Sequence, residues 1–265
     1  MGEHPHRGFE TVTIVYQGEV EHRDSAGNGG RIGPGDVQWM TAAAGLTHEE
    51  FHSQAFTKRG GTMEMAQLWV NLPAKDKMSR PRYQPIVAAQ IPIIDIPGGA
   101  GRVRVIAGEY GGVRGPAITF TPVNVWDVRL NAASSLALTV PEGHTTLIAL
   151  LRGSLNVNGT DDVAGPGIVQ LDRAGVDVRV EARSEATFLV LTGEPIDEPI
   201  AGYGPFVMPL GSGSNGGRAC ACSAIRYGRA ARGKLSSNCT LSYTGSNVRS
   251  DRKYRYLPPG SNDGL

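Results

Sequence analysis

Residues 4–18 read His-Pro-His-Arg-Gly-Phe-Glu-Thr-Val-Thr-Ile-Val-Tyr-Gln-Gly, and their second half decides the fold class. Residues 11–16 are β-branched or aromatic throughout, the composition of a strand, and Gln17-Gly18 closes it. Residues 20–23 begin the return, residues 24–30 form a loop, and Pro34-Gly35-Asp36 is a tight turn in which Pro presets φ. Residues 37–41, 47–52 and 65–72 are the next strands. Further along, short apolar runs at 103–106, 117–120, 125–130, 137–140, 145–151, 155–157, 169–171, 176–180 and 187–192 are punctuated in the same way. The 36 glycines and 17 prolines of the 265-residue chain fit this rhythm, which predicts an all-β protein of sandwich or barrel type. No window carries the long 3.6-period apolar stripe of a substantial helix.

The chain divides by composition. Residues 209–265 hold nine Lys or Arg against Asp251 and Asp263, and all three cysteines (Cys220, Cys222, Cys239). The body before them is acidic and free of thiols, so no disulfide framework supports it. Within the body, residues 12–18 match 147–153, and 32–37 match 163–168, as a strand ending in Gly followed by a Pro-Gly turn. This weak repeat predicts two related barrels, 1–80 and 81–208, followed by a basic low-complexity tail at 209–265. By this reading Glu142-Gly143-His144 takes the place of His4-Pro5-His6 in the second barrel, which then has no metal site. There is no membrane-length apolar run and no signal peptide, so the expectation is a soluble, cytoplasmic protein.

Chemistry concentrates near the start. His4 and His6 share one face of a strand, and so do His48 and Glu50, because alternate side chains point the same way. Two antiparallel strands carrying such pairs can aim four donors at one point, and three imidazoles with a carboxylate suit a first-row metal. Glu10 shares parity with His4 and His6 and competes with Glu50 as the carboxylate; Glu49 points to the opposite face.

The runs HPHRGFETVT, EHRDSAGN and PGDVQWMTA, the H-x-E of His48 to Glu50, QLWVNLP, and the closing G-Y-G-P-F-V-M together resemble the pirin family of the cupin superfamily. The resemblance spans about residues 3–208 and implies two stacked cupin β-barrels, the first holding one metal ion. It implies His4, His6, His48 and Glu50 as ligands, iron(II) as the metal ahead of Mn, Co, Ni, Cu or Zn, and Glu50 also as catalytic base. Glu10 then becomes a hydrogen-bond partner that orients an imidazole. The implied activity is a quercetin 2,3-dioxygenase-type opening of a flavonol ring by O2. The alternative is a redox-sensing regulatory cofactor, cytoplasmic or nuclear, with a transcription factor or enzyme as protein partner. Family members carry strands ahead of H-P-H and a different ending after G-P-F-V-M, so the first barrel is expected to be short of strands and the tail unstructured.

The other candidates have plainer readings. His22, between Glu21 and Arg23, is read as a solvated loop residue, His52 as a surface histidine, and His144 as structural or exposed. Phe9, Trp39, Met40 and Trp69 are core residues of which one could line a pocket. The tail arginines lack a recognised module, so direct nucleic-acid binding is not expected. Cys220 and Cys222 lack zinc spacing.

Overall fold

The computed structural model describes residues 2–209 and, for the backbone only, residues 222–231 and 254–257. The described chain is almost wholly β, with one short α-helix, α1 (Gln54–Arg59), whose Ser53 hydroxyl caps it by accepting from the Phe56 N–H. No helix among the described residues is long and apolar enough to cross a membrane. Contacts divide the chain into two units, Met1–Gln90 with Ile196–Asn247, and Ile91–Pro195 with Val248–Leu265.

The first unit contains β1 (His4–His6), β2 (Phe9–Gln17), β3 (Val20–Asp24), β4 (Gly29–Ile32), β5 (Val37–Thr41), β6 (Leu46–His52), β7 (Thr62–Asn71) and β8 (Arg82–Ile86). One sheet runs β1-β6-β3-β4 and the other contains β7-β2-β5-β8, antiparallel throughout. Residues 75–85, polar with prolines nearby, read in the sequence as a crossover between the halves, yet residues 82–86 form an edge strand. That is where Pro85, lacking an N–H, is tolerated. One end of the interior is apolar, built from Val15, Val20, Ile32, Phe56 and Met63. The other end is polar and holds the histidines.

The second unit contains β9 (Ile93–Ile96), β10 (Gly101–Ala107), β11 (Glu109–Tyr110), β12 (Val113–Arg114), β13 (Val123–Leu130), β14 (Ser135–Thr139), β15 (Thr145–Arg152), β16 (Ser154–Val157), β17 (Asp161–Ala164), β18 (Gly167–Leu171), β19 (Asp177–Ala182) and β20 (Ala186–Gly193). Its four-stranded sheet runs β14-β19-β16-β17, and its larger sheet contains β18-β15-β20-β13-β10-β9. Residues 117–120 are not a strand: Pro116 and Pro122 flank them, and Ile118 is exposed. The interior is a continuous apolar cluster that includes Trp126, Phe188, Leu136, Leu138, Leu155, Val157 and Val180. Each fully buried Leu, Val or Phe contributes roughly 1.5–3 kcal/mol of transfer free energy.

The chain then returns to the first unit with the hairpin of β21 (Ile200–Tyr203) and β22 (Phe206–Pro209). Arg7 and Phe206 form a parallel bridge, and the Val207 N–H donates to the Arg7 carbonyl at 2.9 Å. Lys77, buried between these segments, donates from Nζ to Gly8 O (2.7 Å), Asn71 Oδ1 (2.6 Å) and Val207 O (2.9 Å). Burial pulls its ammonium down to about 8, partly opposed by the Glu198 carboxylate. Gly8 has φ +85, and a Cβ there would overlap the Val207 carbonyl. A glycine, a lysine and a returning hairpin therefore fix the junction two residues past His6. Within 209–265, β23 (Cys222–Ala231) pairs with β7 and β24 (Tyr254–Leu257) with β18, each extending a sheet edge. The tail expectation otherwise concerns residues outside those described, as does the side-chain chemistry of Cys220, Cys222 and Cys239.

Candidate metal centre

β1 and β6 are adjacent antiparallel strands in which His4 pairs with His48 and His6 with Leu46. The alternation expected along each strand therefore brings His4, His6 and His48 together, with one ring nitrogen from each within 4.8 Å of the others. Ring centroids are 4.3 Å apart for His4 and His48, and 4.8 Å for His6 with either. His48 is 1 % exposed. Its pKa falls to about 2, first through burial and then through the neighbouring His6, His4 and His22, so the ring is neutral near pH 7.

The hydrogen-bond partners of the rings fix where their lone pairs point. His4 Nδ1 lies 2.8 Å from the Gly2 carbonyl oxygen, which can only accept, so the His4 proton sits on Nδ1. Its Nε2 then presents a lone pair to His48 Nε2 at 2.9 Å. Two donors at right angles on a first-row ion with bonds of about 2.1 Å lie roughly 3 Å apart. Imidazole nitrogens at that spacing fit a divalent cation.

Glu50 lies two residues along β6 from His48 on the same face, and is buried. Its carboxylate accepts from the Gln67 amide (3.0 Å to Oε2) and the Thr13 hydroxyl (3.4 Å to Oε1). It converges with His48 and His22 as a second triple, so His48 belongs to both groups and Glu50 to one. Phe9 and Trp69 pack on each other at 4.6 Å and set their ring edges or faces against His6, at 5.1 and 5.5 Å. These two aromatics wall the site. Trp39 and Met40 are fully buried and belong to the core, Met40 beside Ala42 and Leu46.

Three expectations are overturned, for Glu10, His22 and His52. Glu10 does not orient an imidazole: Thr13 faces Glu50 and Phe9 faces His6, which puts Glu10 on the opposite face of β2. There its carboxylate accepts from Thr41 Oγ1 at 2.6 Å. Counting parity from His6 fails because Gly8, at positive φ, interrupts the alternation between β1 and β2. Burial raises Glu10 to about 7, with the Thr41 hydrogen bond and the Arg82 charge acting the other way. His22 is not solvated. It is 1 % exposed on β3, paired with Glu50 across the sheet, while Glu21 and Arg23 alternate outward.

His52 is half-buried against Phe56 rather than on the surface, and burial lowers its pKa. It lies outside both converging groups, and Glu49 faces outward as expected. Sequence reasoning passed over Thr13, Gln38, Gln67 and Tyr83. The signal available was a lone glutamine in each of two apolar strands, Val-Gln-Trp-Met and Ala-Gln-Leu-Trp, since a buried amide needs partners.

Comparisons with known proteins agree with this architecture. The Pirin family profile matches residues 1–70, and that of the Pirin C-terminal cupin domain matches residues 125–210. A Pseudomonas aeruginosa protein provisionally named quercetin 2,3-dioxygenase is 60% identical over 208 residues, covering 78% of this chain and 72% of its own. Pirin-1 of Arabidopsis thaliana is 38% identical over 216 residues, covering 78% of this chain and 71% of its own. The crystal structure of a quercetin 2,3-dioxygenase from Acinetobacter baumannii superposes with a TM-score of 0.78 at 55% identity, covering 79% of this chain and 73% of that one.

Proposed function

The chain belongs to the pirin family, and from that premise we propose that it is a metal-dependent dioxygenase of the quercetinase type, with His4, His6, His48 and Glu50 as the metal ligands. The observation that carries the reading is the convergence of two buried imidazoles, His6 and His48, with the half-buried His4, the Nε2 atoms of His4 and His48 facing at 2.9 Å, beside a buried carboxylate. A divalent ion held there, iron(II) first among candidates, would supply Lewis acidity toward a flavonol oxygen and one-electron chemistry toward dioxygen. The names of the Pseudomonas and Acinetobacter relatives support a flavonol as substrate class.

The chain's own residues then divide the work. Glu50 takes the proton of the flavonol hydroxyl at a carboxylate oxygen, and the Gln67 amide and Thr13 hydroxyl hold that carboxylate in place. The Phe9–Trp69 pair offers apolar ring surface to a planar aromatic substrate and keeps bulk water from the His6 side. A carboxylate that both ligates and accepts a proton must shift its bonding during turnover. Glu50→Gln is therefore expected to lower turnover by about 10²-fold or more while metal content falls much less. Elemental analysis beside a quercetin-consumption assay measures both.

The reading itself is tested by loading the purified chain anaerobically with iron(II), counting metal per chain, and following quercetin loss with carbon monoxide release. Failure to hold metal overturns it. Metal retention without turnover of any flavonol would favour a binding role over catalysis.

A further inference from the structure

His22 touches His48 from the side opposite His4, and its surroundings determine which of its nitrogens carries the proton. His22 Nδ1 lies 3.2 Å from Gln38 Nε2 and 3.3 Å from His48 Nδ1, while His22 Nε2 lies 3.4 Å from Asp24 Oδ2. The Gln38 amide is oriented by Tyr83, whose hydroxyl lies 3.4 Å from Gln38 Oε1. The Tyr83 phenol is pushed up to about 12, first by burial and then by the charges of Asp24 and Glu50, so it keeps its proton and donates. With Gln38 Oε1 occupied as acceptor, the amide N–H faces His22 Nδ1, which must accept. The Asp24 carboxylate independently requires a proton on His22 Nε2.

Asp24 is itself held in place by the backbone N–H groups of Ala26 and Asn28, each donating to Oδ1 at 2.9 Å. The Tyr83 ring stacks flat on the His22 imidazole, 8° from parallel at 5.0 Å, which fixes the ring plane. His48 has one proton for two facing acceptors, His22 Nδ1 at 3.3 Å, which also takes the Gln38 N–H, and His4 Nε2 at 2.9 Å; placed on Nδ1, the proton leaves a bare Nε2 toward His4.

We infer that His22, oriented by Asp24, Gln38 and Tyr83, is a positioning residue that sets the tautomer of His48 so that its Nε2 is free to ligate. The role rests on the proposed metal site for its purpose, but it is readable in the metal-free protein. Metal-ligating histidines are commonly oriented by such a partner on the far ring nitrogen, and its loss typically lowers metal affinity about 10–100-fold.

The test reads the His48 tautomer by nitrogen-15 NMR in the metal-free full chain near neutral pH, and then zinc(II) affinity by calorimetry. In the wild type, His48 should be protonated on Nδ1. In His22→Phe that preference should be lost, and zinc(II) affinity should fall by about 10–100-fold. In His22→Asn, whose Oδ1 can stand where Nδ1 stood and accept, both should largely return. A merely structural role would not separate Asn from Phe in this way.

Wild-type His48 protonated on Nε2, or a tautomer indifferent to His22→Phe, overturns the inference. If the tautomers behave as expected but the wild type binds no zinc(II), iron(II) or nickel(II), the positioning role stands and the metal reading falls.

Discussion

The four-stranded sheets β1-β6-β3-β4 and β14-β19-β16-β17 have the same strand order and the same antiparallel register, yet opposite interiors. His4 pairs with His48 as Leu136 pairs with Val180, and His6 with Leu46 as Leu138 with Val178. Across the next ladder, Asp24–His48 corresponds to Val157–Val180, and His22–Glu50 to Leu155–Ala182. The opposing sheets continue the correspondence through their bulged strands β2 and β15. Thr13, which pairs with Gln38 and Gln67, stands where Ile148 pairs with Val169 and Val190.

Each of these polar groups of the first unit therefore has an apolar counterpart in the second, and those counterparts belong to one core cluster. The scaffold does not require a polar interior. The first unit keeps buried imidazoles and carboxylates at an energetic cost that an apolar core would avoid, as expected where function is placed. This register also corrects the equivalence drawn between H-P-H and Glu142-Gly143-His144. Leu136 and Leu138 occupy the places of His4 and His6, and His144, just ahead of β15, falls where Phe9 falls.

The largest effect should come from giving the first unit the residues of the second. The double variant His4→Leu/His48→Val is expected to abolish metal retention while remaining folded. Its metal-free form should denature at higher urea than the metal-free parent, because two crowded imidazoles are replaced by apolar side chains. Retention of stoichiometric metal would break the comparison by showing that the register counterparts are not the ligands.

The reverse exchange is next in size. Val180→His places an imidazole in an interior made of Leu136, Leu138, Leu155 and Val157, with no polar partner at the register positions around it. Overpacking and a desolvated ring together should cost about 2–4 kcal/mol. Urea unfolding measures this, and a cost near zero would mean that the second interior tolerates polarity.

Glu10 sharpens the contrast on the opposite face of β2, where its register counterpart on β15 is Thr145. Its pKa is raised from 4.5 to about 7, so the folded chain holds a proton that the unfolded chain has released between those values. The associated stability is fully present below pH 4.5 and is lost as pH rises through about 7. Glu10→Gln should remove a pH-dependent loss of about 3 kcal/mol, flattening stability over that window and leaving the variant more stable than the parent at pH 8. An unchanged slope in pH-resolved denaturation would place the titration elsewhere.

Much of this was legible before any coordinates, and the failures have local causes. The strand at 11–16 and the pairs His4/His6 and His48/Glu50 could be read because each lies within one uninterrupted strand, where period two holds. Parity carried across Gly8 misplaced Glu10, since a residue at positive φ resets the alternation. His22 was hidden by its neighbours: Glu21 and Arg23 look solvated, and are turned outward, but alternation puts His22 inside. Lys77 could not be found from a local pattern, because its three acceptors come from Gly8, Asn71 and Val207 and only the fold assembles them.

His144 supplies the smallest and most discriminating control. It is the single histidine beyond the first ninety residues, half-buried at the start of β15, with Nδ1 3.5 Å from Thr192 Oγ1. Burial lowers its pKa and the Glu194 charge works against that shift. Among the described residues no second histidine, cysteine or acid joins it in a converging donor group. His144→Ala should therefore leave metal content unchanged and alter stability by no more than about 0.5 kcal/mol, the range of substitutions away from a buried network. A loss of metal on this substitution would mean that the second unit contributes a ligand, and the division of labour between the two interiors would have to be redrawn.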